Sequence, residues 1–374
     1  MVWTPPLPNG IVMCQSGRCY DHFNEEEESG MKTTTIGLDI AKSVFQVHGV
    51  DAKGKVVLRK VLKRRQVLEF FANRAPSLIG MEACAGAHYW ARELGKQGHE
   101  VKLISPQFVK PYVKGNKNDA NDAEAICEAV GRPNMRFVPV KTAEQQDLLA
   151  LHRVRSGLVK ERTAQANRLR GLLGEYGIVI GKGLAQLRKR LPEILEDAEN
   201  DLSDLMRALF ADLHGRILAL DQQVAAYGDK LKTLNQMSAV CRKIGQVPGV
   251  GPITATAMAM AASLGDGQAF ETGRQVSAWL GLVPGQQSSG GKPKLMGISK
   301  RGDTYLRTLL IHGARAVVRA AAKKHDAKSR WINALVQRRN ANIAAVALAN
   351  KNARVIWALL RRGENYRAPV SANA

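Results

Sequence analysis

The sequence predicts an α/β domain followed by an all-α region, and three observations support this division. From Lys32 to Val140, strand-like apolar runs alternate with helix-like segments. Residues 142 to 240 are charged and helix-forming, with few aromatic side chains. From Cys241 onward, Ala-rich helical sequence is interrupted by Gly-rich turns.

The strand-like and helix-like segments of the first region follow one another closely. The residues between the second and third strands, 51–54, read as a hairpin turn. This order predicts three antiparallel strands followed by parallel strands that alternate with helices. The predicted strands are Thr33 to Asp39, Val44 to Val50, Val56 to Leu62, a strand ending in Glu82, and Val101 to Ser105; the predicted helices are Arg65 to Asn73 and Ala87 to Lys96.

Four carboxylates stand out in this region. Asp39 and Glu82 each close a strand-like run, and Asp119 and Asp122 lie three apart at the start of a helix-like run, so they share one helix face. Acids held side by side repel one another unless a cation lies between them. The pattern therefore indicates a divalent-metal platform for phosphoryl transfer, and the alternative is an ordinary helix cap with strand-end acids.

The charge of the chain indicates a polyanionic partner. The 374 residues carry 55 Lys and Arg against 33 Asp and Glu, a formal charge of +22. From Cys241 to the end, 21 basic and 5 acidic residues give +16 of that total. Nucleic acid is the common polyanion, so we expect the last third to contact phosphate.

The cysteine pattern and the lengths of the apolar runs bear on the cellular compartment and on membrane association. The five cysteines are scattered without paired metal-ligand spacing, which favours a reducing cytosol and argues against zinc. No apolar run approaches the roughly 18 residues that span a bilayer, and no secretory signal is visible. We expect no membrane association.

The chain divides into five predicted segments. The first, 1–30, contains Pro5-Pro6 and the acidic run Glu25 to Glu28, and reads either as translated sequence upstream of a true start at Met31 or as a disordered acidic tail. The others are an acidic-site domain at 31–141, a helical region at 142–240, a C-terminal domain at 241–368 and a tail at 369–374.

The acidic motifs resemble those of a known family. The segments 37–42, 81–86 and 118–123 look like the three acidic motifs of the DEDD transposases of insertion sequences, the one-hundred-and-ten family that includes Piv-like invertases. The resemblance implies a RuvC-type, RNase H-like fold in which Asp39, Glu82, Asp119 and Asp122 hold Mg²⁺ or Mn²⁺. One departure is that Cys84 and Ala85 stand where the family often has Thr and Gly.

The helical region carries a coiled-coil pattern, with glycines between positions 174 and 183 marking a break. The spacing alone leaves open whether the partner helix belongs to the same chain or to another. The resemblance implies a dimerising, nucleic-acid-binding coiled coil, so we expect a homodimer or homotetramer. The later seam is Leu213, Ile217, Leu220, Val224, Tyr227, Leu231 and Leu234; the earlier run is Leu148, Leu151, Val154, Leu158, Leu169, Leu172 and Tyr176.

The turn at 246–252 is similar to the hairpin of a helix-hairpin-helix unit. Its residues Pro248, Gly249 and Gly251 precede an Ala-rich helix. Such a turn brings backbone N–H groups to a phosphate without reading bases. The alternative is a tight turn between two packed helices.

A second candidate site lies at 281–292, which composition alone predicts to be a flexible Gly-rich loop. The family has a Gly-Leu-x-Pro segment, then Ser-Gly, then Ser-Lys-x-Gly before Leu-Arg, and these match 281–284, 289–290, 299–302 and 306–307. The resemblance places a nucleophilic serine at Ser289, or at Ser288 if the alignment slips by one. The candidate phosphate-binding residues are Lys292, Lys294, Lys300 and Arg301; their alternative is a solvated basic loop.

Together these features predict a transposase of an insertion sequence. We expect Ser289 to attack a DNA phosphate and form a covalent phosphoserine while the four acids hold metal. The resemblance further implies donor and target DNA, an element-encoded guide RNA, and a location in the bacterial cytoplasm at the nucleoid. The alternatives are a RuvC-like junction endonuclease that uses water, and a non-enzymatic DNA-binding protein.

Overall fold

The computed structural model describes residues 33–114, 118–261, 269–290 and 292–368, with the backbone alone at Ser289 and Pro293. The predicted leader and start at Met31, Lys117 of the acidic motif, and the tail at 369–374 lie outside the described residues. The chain divides into two compact units, Met1–Val140 and Lys141–Ala374. The predicted helical region and the C-terminal domain therefore share the second unit.

The first unit is built on a six-stranded sheet in the order β3-β2-β1-β4-β5-β6. The first three strands are antiparallel, β1, β4 and β5 are parallel, and β6 is antiparallel to β5. This mixed sheet is consistent with the predicted RuvC-type, RNase H-like domain. The strands are β1 Thr35–Ile40, β2 Val44–Val50, β3 Val56–Lys63, β4 Leu78–Glu82, β5 Glu100–Ile104 and β6 Phe137–Val138.

Helices cover both faces of this sheet. One face carries an apolar core that includes Leu38, Phe45 and Trp90, and the other packs against α4 through residues such as Ile126. The helices are α1 Val67–Ala72, α2 Ala87–Lys96, α3 Pro106–Val109 and α4 Asp119–Val130. The sequence did not predict α3 or β6, which are too short to show a hydrophobic period.

Two neighbouring glycines set the position of α4. Gly37 of β1 and Gly80 of β4 are partners in the parallel ladder. A Cβ added at Gly37 would overlap the backbone of α4 at Ala123 O and lie 2.5 Å from Cys127 N. A Cβ at Gly80 would lie 2.7 Å from Cβ of Val130. The helix backbone therefore rests directly on the sheet, which only residues without a side chain allow.

Long helices open the second unit. Thr142 caps α5 through a capping box with Gln145, whose backbone N–H donates to Thr142 Oγ1 at 3.2 Å. The predicted glycine break is confirmed, because α5 ends at Gly174 and α6 starts after Gly183. These helices are α5 Ala143–Gly174, α6 Leu184–Glu196 and α7 Asp204–Met237.

The later seam is buried within its own chain. Leu213, Ile217 and Leu231 of α7 are at most 5% exposed, and α7 packs along α5. Asp221 of α7 also accepts from Arg162 of α5 at 2.8 Å. The partner of this seam is therefore α5 of the same chain, in agreement with the intramolecular alternative. The earlier run is less regular, since Val154 is 46% exposed.

Helices build the core of the rest of the second unit. Buried side chains from all of them form one apolar cluster with Ile244, Met258, Leu310 and Ile356 among its members. The elements are α8 Ala239–Gly245, α9 Pro252–Met260, α10 Gly273–Trp279, β7 Pro284–Ser289, β8 Lys292–Ile298, α11 Thr304–Ala321, α12 Ala327–Arg338 and α13 Ala341–Arg362.

The last of these helices bears on the membrane prediction. Within the described residues, α13 is the one helix long and apolar enough to cross a bilayer by length and composition. The sequence had predicted no such segment, because the polar residues of α13 interrupt its apolar run while its average hydropathy stays high. Leu348 and Ile356 are fully buried in the core of the second unit, which accounts for the apolar composition.

The segment predicted to be a loop at 281–292 contains β7, which pairs with β8 in a two-stranded hairpin that continues to Ile298. Its base is held by Arg307 of α11, whose buried guanidinium donates to Leu280 O at 2.9 Å and Arg301 O at 3.1 Å. Gly281 and Gly302, both at positive φ, let the strand ends cross closely. The buried charge is thus satisfied by carbonyl oxygens at the root of the hairpin.

The Gly37 contact predicts a local stability effect. Gly37→Ala should lower the free energy of unfolding of the first unit by about 1–3 kcal/mol, because its Cβ must push α4 off the sheet. The matched control is Gly95→Ala in α2, where an added Cβ meets nothing within 4 Å. Thermal unfolding of the full chain measures both, and equal melting temperatures for the two variants would contradict the proposed packing.

Arg307 gives a second test. Arg307→Met keeps the length of the side chain but leaves two buried carbonyls unpaired, which should cost about 1–3 kcal/mol and loosen the hairpin. We expect a lower melting temperature and faster tryptic cleavage after Lys294. Arg315→Met, at an exposed position of the same helix, is the control. An Arg307→Met protein as stable and protease-resistant as the control would show that the guanidinium does not hold the hairpin.

Candidate active site

Two of the four predicted acids end adjacent parallel strands. The ladder pairs Leu38 of β1 with Met81 of β4, so Asp39 and Glu82 follow at the same end of the sheet. Each is half-buried and takes part in contacts within the chain. Neighbouring parallel strands bring their carboxyl ends to one edge, and here that edge carries two carboxylates.

The other two acids come from the first turn of α4. Asn118 caps this helix, its side chain accepting from Ala120 N at 3.1 Å. Asp119 is exposed and Asp122 is half-buried. Both lie in the first turn of the helix.

The direction of α4 brings the two pairs to one place. Cys127 lies near the beginning of β1, with its thiol 3.7 Å from Thr35 O, and Ala123 lies over Gly37. The helix therefore runs antiparallel to β1, and its first turn reaches the end of the strand that carries Asp39. Because alternate strand residues share a face, Asp39 is on the same face as Gly37. All four acids thus occupy one face and one end of the sheet.

Cys84 follows Glu82 closely and senses both strand-end acids. Burial raises the pKa of the Cys84 thiol, and the negative charges of Glu82 and Asp39 raise that pKa further. The thiol therefore stays protonated at neutral pH. Carboxylate oxygens are the donors that this end of the sheet offers.

Acids elsewhere on α4 have basic partners. Glu128 accepts from Arg132 at 2.5 Å and lies 3.4 Å from Nζ of Lys114. Its carboxyl pKa is lowered mainly by the Arg132 hydrogen bond. Within the part of the chain that the structure describes, Asp119 and Asp122 have no such ion pair, so their charges remain uncompensated.

The four acids do not yet form a closed metal shell. Among the described residues, no group of three or more His, Cys, Asp or Glu side chains is close enough together to hold an ion. The donor set nevertheless fits a hard divalent cation, since it consists of carboxylates with two at a helix start. The structure thus brings the acids to one end of the sheet without closing them around a centre.

The serine site lies on the β7–β8 hairpin of the second unit. The backbone of Ser289 pairs with Lys292, next to the turn at Gly290; Gly291 lies outside the described residues. The neighbouring Ser288 is exposed, and its Oγ accepts from Gln286 Nε2 at 2.7 Å. The hairpin therefore exposes Ser288 and places the backbone of Ser289 beside its turn.

The predicted basic residues lie along this hairpin and at its base. Lys292 and Lys294 are exposed on β8. Lys300 and Arg301 are exposed where the chain returns to α11, and Lys300 adopts a positive φ of 56°. An exposed non-glycine residue in this conformation is held there by its surroundings.

The two glycines of the turn between α8 and α9 have different surroundings. Gly249, at φ 90°, faces α11, where an added Cβ would lie 2.9 Å from Gly313 O. Pro248 O accepts from Asn352 Nδ2 at 3.0 Å. Gly251 is exposed, with nothing within 4 Å of an added Cβ. Gly249 therefore serves helix packing, and Gly251 is the member open to a ligand.

Sequence reasoning missed the role of Arg307, although the Leu306-Arg307 pair was noted. The sequence did contain a sign of this role, because Arg307 occupies a position that the helical spacing of apolar residues in α11 places on the buried face. It is next to buried Leu306 and three residues before buried Leu310. Reasoning also missed a buried histidine. His152 Nδ1 lies 2.9 Å from Tyr305 Oη, and Nε2 lies 3.1 Å from Thr256 Oγ1.

Comparison with known proteins agrees with this architecture. The DEDD-type IS110 transposase family matches residues 36–178, and the transposase family IS116/IS110/IS902 matches residues 241–330. The first match contains the four acids and the second contains the hairpin and the α8–α9 turn.

Curated relatives extend over nearly the whole chain. A probable family 20 transposase of Pseudomonas aeruginosa is 55% identical over 90% of this chain and 99% of its own length. The transposase of insertion sequence element IS1111A from Coxiella burnetii is 47% identical over 97% and 99% of the two chains. The transposase of IS1328 from Yersinia enterocolitica is 42% identical over 88% and 97%. The chain therefore belongs to the IS110 family of insertion-sequence transposases.

Proposed function

We propose that this transposase cuts and rejoins donor and target DNA through a covalent phosphoserine at Ser289, with divalent metal held by four acids. The observation that carries the proposal is the convergence of Asp39, Glu82, Asp119 and Asp122 on one end of the first-unit sheet. Membership of the DEDD family supports divalent metal use, and the carboxylate donors favour Mg²⁺ or Mn²⁺.

The chemistry assigns separate tasks to the two units. The Ser289 hydroxyl attacks the scissile phosphorus; the P–O bond to the leaving strand breaks, and that strand's oxygen takes up a proton. A second strand's hydroxyl then attacks the phosphoserine and releases Ser289. The bound cation supplies Lewis-acid stabilisation of the charge on the phosphate.

The basic residues of the second unit are proposed to hold the nucleic acid during these steps. Lys292, Lys294, Lys300 and Arg301 surround the hairpin with positive charge, and none of them has a resolved ion pair among the described residues. Pro248, Gly249 and Gly251 form the turn before α9, of which Gly251 offers open backbone. Phosphate contacts of this kind position a strand without reading its sequence.

Target choice and assembly are part of the same proposal. We propose that an element-encoded RNA pairs with donor and target DNA, since the protein contributes charge and shape rather than an evident base-reading helix. We also propose a homodimer or homotetramer formed through the helical region. Because the later seam is buried in its own chain, the second copy would contact exposed apolar residues of α7 such as Leu205, Leu209 and Leu218.

Removing single carboxylates tests the metal site. Asp119→Asn and Asp39→Asn should each reduce Mg²⁺-dependent cleavage of labelled DNA by at least about 100-fold, because each removes a charged oxygen ligand from the reacting centre. Glu93→Gln is the matched control, since Glu93 pairs with Lys96 on the surface of α2. Cleavage retained by both Asn variants would remove the acids from the reaction. Absence of metal-dependent cleavage by the wild-type chain would instead leave a non-enzymatic DNA-binding role.

Covalent trapping tests the serine. Protein, Mg²⁺, end-derived RNA and labelled donor and target DNA should yield a DNA–protein adduct that Ser289→Ala abolishes. Ser288→Ala is the neighbouring control and should retain it. Nicked DNA without an adduct, unaffected by Ser289→Ala, would instead establish water as the nucleophile and favour a RuvC-like junction endonuclease.

A further inference from the structure

A cavity of about 450 Å³ opens on the first unit, away from the face that carries α4. It is lined by Arg64, Arg65, Leu68, Tyr89 and Trp90. This size lies within the range of small-ligand sites. None of these residues belongs to the acidic site or to the serine hairpin.

The cavity lies at the same end of the sheet as the four acids. The strand β3 runs parallel to β1, since both are antiparallel to β2, and Lys63 pairs with Val44 near the end of β1. Arg64 follows Lys63 directly. On the other side, Tyr89 is in the first turn of α2, which begins shortly after Glu82. A strand lying across this end of the sheet would therefore meet both features.

The cavity is on the opposite face from the acids. Trp90 packs edge-on against Phe45, with ring centroids 5.1 Å apart, in the core that contains Leu38. Leu38 and Asp39 are consecutive in β1, so their side chains point to opposite faces. The acids and the cavity thus flank one sheet edge from its two sides.

The aromatic part of the cavity offers a stacking surface. Tyr89 is 41% exposed, and its ring contacts Trp90 edge-on at 5.2 Å. The guanidinium of Arg64 lies 5.1 Å from the centre of the Trp90 ring. Arg64 therefore covers the buried Trp90 ring, and the neighbouring Tyr89 ring stays exposed as a surface on which an unpaired base can stack.

The polar groups of the cavity are unmatched donors. Arg64 and Arg65 are exposed, and the structure shows neither of them in an ion pair with a described carboxylate. Trp90 is 3% exposed, and its buried indole Nε1 has no hydrogen-bond partner within the described part of the chain. The ligand-facing polar groups of the cavity are therefore the two exposed guanidinium groups, while the Trp90 ring forms its buried floor.

The backbone around the arginines is fixed. Arg64 N donates to Ser43 O at 2.9 Å, and Lys63 N donates to Gln66 Oε1 at 2.8 Å. The two guanidinium groups therefore start from an anchored turn at the end of β3. Two exposed cations and a partly exposed tyrosine ring match the phosphates and the base of a nucleotide.

We propose that this cavity binds an unpaired nucleotide of a nucleic-acid strand whose backbone continues to the acidic site. The base stacks on Tyr89, and Arg64 and Arg65 contact the flanking phosphates. A duplex does not fit this role, because its bases are stacked on one another and closed to the ring. The inference rests on the proposed function for its choice of nucleic acid, but binding alone tests it.

The test uses the full chain and fluorescence anisotropy with labelled single-stranded RNA, single-stranded DNA and duplex DNA of equal length at constant salt. Tyr89→Ala should weaken single-strand binding about tenfold, and Tyr89→Phe should preserve it. Arg64→Ala/Arg65→Ala should also weaken it. Lys53→Ala/Lys55→Ala, with the same charge change at the opposite end of the sheet, is the matched control.

Comparing single-stranded RNA with single-stranded DNA identifies the strand that occupies the cavity, because that strand should lose affinity for the Tyr89→Ala variant. Thermal unfolding verifies that each variant is folded. Photocrosslinking of the wild-type chain to iodouridine- or iododeoxyuridine-labelled strands provides a second readout, in which the crosslinked peptide should contain Tyr89.

Unchanged single-strand affinity in Tyr89→Ala would overturn the inference, and so would crosslinks confined to other peptides. An equal loss of duplex affinity would overturn it as well, because that indicates general charge attraction. Failure of the proposed function is a separate outcome. If the wild-type chain forms no DNA adduct but shows Tyr89-dependent binding, the cavity remains supported as a nucleotide site and the proposed phosphoserine is contradicted.

Discussion

The close approach of α4 to the sheet is the constraint on which the acidic site depends. Gly37 and Gly80, side by side in the ladder, let the helix backbone touch the strands. A helix held farther away would carry Asp119 and Asp122 away from the end of β1 where Asp39 lies. The glycines therefore determine where two of the four acids stand. In β1 and β4 the glycine stands two residues before the acid, so both lie on the face that carries α4.

Much of the first unit follows from local sequence. Strands β1 to β5 are recognisable in the sequence as apolar runs. The acids near the ends of β1 and β4 also indicate the end of the sheet at which the candidate site lies. The face and direction of α4 were not predictable, because the partner of Gly37 is more than 80 positions away in the sequence. The hairpin at 284–298 was predicted as a loop for a different reason. Nearly all of its described residues are exposed, so no alternation of buried and exposed positions identifies the strands.

In the second unit, some sequence patterns did not reveal what the residues contact in the structure. The seam of α7 was read correctly as a packing stripe, but spacing cannot say whether the partner is in the same chain. His152 is a further case. Burial lowers its pKa to about 4, with Arg155 adding to the effect. Thr256 donates its hydroxyl proton to Pro252 O, so neutral His152 donates from Nε2 to Thr256 and accepts from Tyr305 at Nδ1. One uncharged ring thereby links α5, α9 and α11.

The β7–β8 hairpin has no apolar core of its own. Two strands alone are barely stable in water, so its shape is inherited from the base that Arg307 holds. Residues along the ribbon therefore contribute little to the folding free energy. Substitutions along the ribbon can therefore accumulate without unfolding the second unit, because its folding free energy resides in the root of the hairpin and in the helical core.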